Sequence, residues 1–557
     1  MNEFFQEGPK LTNTFHSHRW LKSYLRFKLP KDMQTEVSAD LEKLGERCAT
    51  DYMELAKTAE REKPVLVSFD TWGRRLDKIR VSRAWTDLQD ISAREGMIHI
   101  GYKRAHGEFS RVHQFLKLYL FHPSSAFFTC PLAMADGAAK VLETYGTTDR
   151  HREAFRHLTS NDPKQFWTSG QWMTEKSGGS DVSGFSTQVR FDGDQARLYG
   201  TKWFSSATTS HMSLALARQP GSPDGSRGLT LYFVPMYLGG PDELNHIRVL
   251  RLKDKLGTWA LPTAELELDG ALAYPIGEKD HGVKTVATML NVTRLYNSVC
   301  SVGQMTRALE QMRDYSGRRQ VFGAPLTGQP LHFTTFAHDE LKMMAGFLLT
   351  MELVHLLGKE ECKTATAEDT DILRLMTPVC KLFTGRAAIQ TASEVVEGFG
   401  GVGYIEDSGV PVHLRDSQVF PIWEGATNVL SLDLLRVLQK SGALNSLEVD
   451  ILRRLQSVKR ADLTGHRELA LKAVRELGAN MKAFANLSPE LQQASSRELA
   501  FYLGRLYSFA LLLAWSESEP KLAPWLDMYA KDFLGIWTPK AQADVQSARQ
   551  IWSGSIS

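Results

Sequence analysis

The chain has 557 residues, 43% of them apolar, which is ample for a large core and several structural units. Lys and Arg total 66 against 64 Asp and Glu, a balance that argues against a protein built mainly to bind nucleic acid. Five cysteines (Cys48, Cys130, Cys300, Cys362 and Cys380) are scattered without zinc spacing or a disulfide framework. No metal site is expected, and a reducing compartment fits them. The opening MNEFFQEGPK carries no basic stretch before an apolar run and is neither Arg-rich nor acid-poor. A cytoplasmic protein is therefore expected in preference to a secreted or mitochondrial one. The closing SGSIS is not a peroxisomal address. No window of about twenty apolar residues is free of charge, so no membrane span is expected. Residues 499–515 come nearest and, with Gly504 and Arg505, read as a buried helix.

In chain order, residues 1 to about 165 are rich in helix formers. Leu41, Leu44, Cys48, Tyr52 and Leu55 recur every three or four positions, as one face of a packed helix does. The run 69–80, FDTWGRRLDKIR, contains a turn-like Thr71-Trp72-Gly73 and is expected to link helices. The middle changes character. Residues 187–191, 196–204, 212–218, 229–236, 246–252 and 264–268 read as short strands, with a hairpin turn at Asp192-Gly193 and a polar loop over 220–228. From Val283 the helical period returns. Residues 283–315, 331–358 and 371–397 read as long helices, the last stopped by Gly398, and 441–557 form a helical extension of mixed charge.

The segment with the sharpest chemistry is FPIWEGATNVL, residues 420–430. It places Glu424 between Trp423 and Gly425, just past a turn rich in glycine at Gly398, Gly400, Gly401 and Gly403. A carboxylate beside an indole is poorly solvated, so its proton affinity rises toward what abstraction of a weakly acidic C–H proton requires. Gly425 lets a ligand carbonyl approach backbone N–H groups. A surface turn is the commoner use of such a triplet.

Three other segments stand beside it. QWMTEKSGGSD, residues 171–181, offers the Thr174 hydroxyl and a Gly178-Gly179-Ser180 turn whose N–H groups can cradle a phosphate or meet a flavin edge, or simply turn the chain at the surface. GTKWFSSATTSHMSLALAR, residues 200–218, carries Trp203, which fits either stacking on a planar ring or a place in the core. YSGRRQVFGAPL, residues 315–326, carries Arg319, suited to a pyrophosphate fork or to a solvated helix end.

In this order the four segments resemble the acyl-CoA dehydrogenase family, over residues 165 to 440. RLKDKLG (251–257), the 69–77 run and the IWEG form of the base motif are similar to its AidB-like branch, named for a bacterial alkylation-response flavoprotein. The resemblance implies an α+β fold. It would have an N-terminal helical domain (1–165), a central β-barrel domain (166–281), a C-terminal helical bundle with the catalytic Glu (282–440) and a helical extension (441–557).

It also implies FAD as cofactor, a medium- or long-chain acyl-CoA as substrate, and a homo-oligomer, a tetramer built as a dimer of dimers. Glu424 would be the catalytic base. Gln171, Met173, Thr174, Gly179 and Ser180 would meet the flavin, Ser180 also lying toward the acyl-CoA, and so would Trp203, Phe204 and Ser205. Arg319, Glu397, Gly400 and Gly401 would bind the adenosine diphosphate part, Arg319 that of a neighbouring subunit. Thr427 and Asn428 would add polar contacts to the flavin, and Asn291, Arg294 and Gly425 would line the substrate pocket. Several positions depart from the commoner family pattern: Lys176 stands for Pro, Ser205 for Thr, Glu397 for Gln, and Ala426, Thr427 and Asn428 for a Thr-Ser/Asn-acid run. Two rival roles share this fold, an acyl-CoA-sequestering protein with little turnover and a DNA-associated protective flavoprotein. The interleaved charges of the extension favour the latter least, since no unbroken basic stripe is present.

Overall fold

The computed structural model describes residues 7–240 and 243–553. Helices dominate at both ends and one sheet lies between them. The Leu41 to Leu55 periodicity resolves into two helices, Lys31–Ala49 and Asp51–Arg61, broken at Thr50. Leu41, Leu44, Cys48 and Tyr52 are all buried.

The 69–80 run does lie between two helices, Asp51–Arg61 and Arg83–Arg94, but as part of a strand pair. It forms a hairpin of β1 (Val65–Phe69) and β2 (Arg75–Arg80), with the turn Asp70–Gly73 at its tip. Asp70 Oδ1 accepts from the N–H groups of Trp72 and Arg74, which fixes that turn. The buried Asp77 carboxylate accepts from Arg75 and from Val249 N–H, tying the hairpin to the central sheet.

That sheet holds β3 (Ser169–Trp172), β4 (Gln188–Asp192), β5 (Gln195–Ser206), β6 (Met212–Arg218), β7 (Leu229–Pro235), β8 (Ile247–Leu252) and β9 (Thr263–Ile276). β4 and β5 pair from Asp192–Gln195 outward, so the hairpin turn centres on Gly193 and Asp194, with Gly193 at φ 58. The sheet curls, but the expected barrel is incomplete. The return from β4 to β6 rests on a single residue pair, Gln188 with Arg218, while β6–β7 and β7–β9 are continuous ladders and β9–β5 is a long one interrupted by two register shifts. Its inner face is a small separate core that includes Trp172, Val189, Leu198, Val234 and Leu266.

Three long helices follow: Gly282–Arg318, Pro330–Glu361 and Ala367–Gly398. The last starts on a capping box, Thr366 with Asp369, and carries Pro378 inside it. Pro330–Glu361 and the extension helix Pro489–Ser516 are long and apolar enough to cross a bilayer, yet both are largely buried in the fold. The extension is keyed to the rest by charge as well as by apolar packing. Glu352 accepts from Lys28 at 2.6 Å and from Arg454 at 2.7 Å. Those two contacts join the N-terminal helices, the bundle and the extension.

A second hub lies in the N-terminal domain. Arg111, 1% exposed, donates to Asp136 (2.8 Å) and to Glu361 (2.6 Å). Removing one partner of such a buried cluster strands the others' charge at a cost of about 3–5 kcal/mol. Arg111→Met is accordingly expected to lower unfolding free energy by about that amount in a denaturant titration; a midpoint like that of the parent protein would contradict the role assigned to the cluster.

Candidate functional site

Glu424 lies in the loop between the Pro411–Ser417 and Thr427–Lys440 helices. Its backbone is left-handed, φ 57, and that of Gly425 follows at φ 105. A glutamate there is strained, and strain of this kind persists only where surroundings over-determine it. Two long helices supply what holds it. From Gly282–Arg318, Thr293 Oγ1 donates to Glu424 Oε2 at 2.7 Å, and Arg294 Nε donates to the Glu424 carbonyl at 3.3 Å. From Ala367–Gly398, Lys381 Nζ donates to the Gly425 carbonyl at 2.6 Å. Asp433 orients Arg294 at 2.9 Å and is shared with Arg374. A Cβ on Gly425 would stand 2.8 Å from Leu430 Cδ2, so the tight turn excludes a side chain there.

The Glu424 carboxyl is half-buried. Burial raises its proton affinity above the ordinary carboxylate range, and Thr293, Arg294 and Lys381 only partly offset that. Beside it, Trp423 meets the edge of Phe127, which stacks on Phe420. Ala126 and Phe127 are themselves left-handed, at φ 46 and φ 65, so a second strained segment packs against the loop that carries the acid.

A second group of residues gathers on the sheet. Thr174 accepts from Trp203 N–H at 2.9 Å, which lays the loop after β3 along β5. This brings Gln171, Met173 and Thr174 beside Trp203, Phe204 and Ser205. Two polar atoms in this patch, Gln171 Oε1 and Ser205 Oγ, are buried and have no hydrogen-bond partner among the described residues. Buried polar atoms without protein partners are open to a ligand or to an ordered water. The loop itself is anchored by a buried ion pair, Glu175 with Lys202 at 2.8 Å, and Glu175 also accepts from the backbone and hydroxyls of Ser186 and Thr187. Gly179 packs so closely on Thr174 that a Cβ would lie 2.6 Å from its hydroxyl oxygen, while Ser180 is exposed. Phe204 is exposed, and Lys253 Nζ lies 3.5 Å from the centre of the Trp203 ring.

The third group lies at the far ends of the long helices. Arg319 follows the Gly282–Arg318 helix and precedes a small hairpin of β10 (Gln320–Val321) and β11 (Ala324–Pro325). Phe322, at its tip, is 98% exposed. Tyr315 stacks on Phe399 at 4.6 Å, which brings the Arg319 end beside Glu397, Gly400 and Gly401. Arg319 lies 25 residues beyond Arg294 on one helix, roughly 37 Å at the usual helical rise. Arg319 and Glu424 of one chain therefore face different places. Of the remaining expected residues, Asn291 lies one turn before Arg294 and is half-buried. Thr427 opens its helix, and Asn428 in the same turn accepts from Arg497 of the extension at 2.6 Å.

Sequence reasoning passed over Thr293, Lys381, Asp433 and the Glu175–Lys202 pair. Lys381 did leave a signal: a lone cation inside the apolar run PVCKLF of a helix. Thr293 left none, since a buried helical threonine has many uses. The unpartnered atoms on the sheet, the close-packed Gly179 and the half-buried indole together suit a planar ring with hydrogen-bonding edges, so the residues present fit a flavin.

Comparison with known proteins agrees over most of the chain. Residues 9–162 match the adaptive response protein AidB N-terminal domain, 170–271 the acyl-CoA dehydrogenase middle domain, and 280–439 the acyl-CoA dehydrogenase C-terminal domain. Acyl-CoA dehydrogenase family member 11 of Caenorhabditis elegans is 43% identical over 92% of this chain and 85% of its own length. The putative acyl-CoA dehydrogenase AidB of Escherichia coli is 31% identical over 72% of this chain and 74% of its own. The crystal structure of C. elegans ACDH-11 in complex with C11-CoA superposes with a TM-score of 0.96 at 39% identity, covering 100% of this chain and 98% of that one.

The Thr293 hydrogen bond favours the charged form of Glu424, so its loss should raise the proton affinity of the acid further. Thr293→Val is expected to move the infrared titration of the Glu424 carboxyl to higher pH; a titration that stays where it was would contradict the geometry.

Proposed function

The chain belongs to the acyl-CoA dehydrogenase family, in its AidB-like branch, and we propose that it is an FAD-dependent oxidoreductase that removes the α proton of a medium- or long-chain acyl-CoA. The observation that carries the reading is Glu424: a half-buried acid of raised proton affinity, held in a strained turn by two helices. An acid with those properties suits a proton carried by carbon next to a thioester. Among the described residues no backbone carbonyl accepts from the Glu424 N–H. That N–H can donate to the thioester oxygen and stabilise negative charge as it develops there. Arg294, fixed by Asp433, occupies the Glu424 carbonyl and would keep it from the ligand. The bound flavin would supply the acceptor for the β hydride.

Gln171, Met173, Thr174, Gly179, Ser180, Trp203, Phe204 and Ser205 would hold the flavin ring, and Thr427 and Asn428 would approach it from the helix that follows Glu424. Arg319, Glu397, Gly400 and Gly401 would bind the adenosine diphosphate part. Because Arg319 and Arg294 lie so far apart on one helix, Arg319 would complete a neighbour's cofactor site, and the protein would be a homo-oligomer, a tetramer of two such dimers. On this reading the chain would divide into units near 165, 281 and 440. All five cysteines are free, which suits a reducing compartment such as the cytoplasm. A role in binding duplex DNA is disfavoured because three arginines of the extension are already paired with carboxylates: Arg453 with Glu368, Arg454 with Glu352 and Asp450, Arg460 with Asp462.

Glu424→Gln is expected to keep FAD and bind acyl-CoA yet lose flavin bleaching by substrate; full bleaching in that variant would refute the base assignment. With the parent protein, the rate should rise with pH through an apparent pKa above the ordinary glutamate value of about 4.3, since the acid works only when deprotonated. Tight acyl-CoA binding with negligible turnover would favour sequestration over catalysis. Arg319→Ala is expected to weaken FAD retention measured by visible absorbance; unaltered retention would count against a cofactor site shared between subunits.

A further inference from the structure

Lys381 sits in the middle of the Ala367–Gly398 helix, 0% exposed, between buried Cys380 and Leu382. A lysine with no access to water is costly unless its donors are used. Its Nζ lies 2.6 Å from the Gly425 carbonyl oxygen. That carbonyl closes the left-handed pair Glu424-Gly425. The charged groups facing Lys381 are Glu424 on the loop, which attracts it, and Arg294 on the neighbouring helix, which repels it. Burial pulls the lysine pKa down to about 7, so it titrates where small changes in its surroundings alter its charge.

We propose that Lys381 is a positioning residue for the reaction: its ammonium grips the Gly425 carbonyl to keep Glu424 aimed into the cleft, and its charge favours the carboxylate form of that acid. The proposal rests on Glu424 being the base. Among the described residues, the Lys381 ammonium donates to the Gly425 carbonyl of the turn and does not bond the Glu424 carboxyl itself. Of the contacts to the Glu424-Gly425 turn, Thr293 binds the carboxyl and Arg294 the preceding carbonyl, so the carbonyl on the far side of Gly425 depends on Lys381. Losing that contact frees a strained φ pair, and misplacing a base by about 1 Å costs roughly 100-fold in rate.

The test uses the FAD-loaded protein and an octanoyl-CoA in which sulfur replaces the β-methylene. That analogue has no β hydride to lose, so exchange of its α protons with deuterated water reads the proton step alone. Lys381→Met is expected to slow exchange by about 10- to 100-fold with little change in analogue binding. It should also move the infrared titration of Glu424, identified by difference against Glu424→Gln, to higher pH. Lys381→Arg should keep that titration near its original place, because the charge remains. A Met variant with parental exchange and parental titration would overturn the proposal. Should the Met variant not fold, Lys381→Gln decides, since it keeps a donor for Gly425 and loses the charge. An upward titration shift in it supports the electrostatic role, and an unshifted titration overturns it. If the parent protein and Glu424→Gln exchange equally, the base assignment itself has failed, whatever Lys381 does.

Discussion

A glutamate at φ 57 followed by a glycine at φ 105 is a conformation the chain adopts only under restraint. The restraint comes from Thr293, Arg294 and Lys381, which reach the turn from two long helices with three hydrogen bonds. Much of the surrounding architecture keeps those helices parallel and close. Gly385 lets the Ala367–Gly398 helix pass within 3.1 Å, measured from an added Cβ, of the Phe420 backbone just before the turn. The acid is thus placed by rigid elements although it sits on a loop, the arrangement that precise proton transfer asks for.

The sheet is joined to the same segment through the 251–263 loop. Lys255 Nζ binds the carbonyls of Thr258 and Leu261, curling the loop on itself. Thr258 N–H then donates to Asp416 at 2.6 Å, eight residues before Glu424. Trp259 packs between two cations, Lys63 and Arg415, each 3.6 Å from its ring centre. Gly257 is needed because a Cβ there would meet the Arg415 backbone at 2.7 Å. One short loop therefore links the N-terminal region, the central sheet and the helix leading to Glu424.

Much of this was legible before the structure. The long helices after Val283 fell within a few residues of expectation, although each is buried on all sides through its middle, over residues 295–310, 343–354 and 375–385. Strands β4 to β8 were readable from alternation and from the Asp192-Gly193 turn. β9 ran on to Ile276, beyond the expected end at 268, because the Gly270 (φ 91) bend does not end its pairing. The hairpin at 65–80 was hidden by its charge: Arg75, Asp77, Lys78 and Arg80 mask an alternating strand, and the Val249 N–H that donates to buried Asp77 is a tertiary contact. The site was half legible. Glu424, Gly425 and Arg294 could be named from motifs, whereas Thr293 and Lys381 reach the turn only through the fold that carries them there.

The account stands on the carboxylate of Glu424 meeting the α carbon of a bound acyl thioester. A crystal structure of the FAD-loaded protein with a bound acyl-CoA tests this most directly. The account predicts a Glu424 oxygen within about 3.5 Å of the α carbon, with the thioester oxygen on the Glu424 N–H. A thioester bound elsewhere, with that carboxylate pointing into protein or solvent, would contradict it.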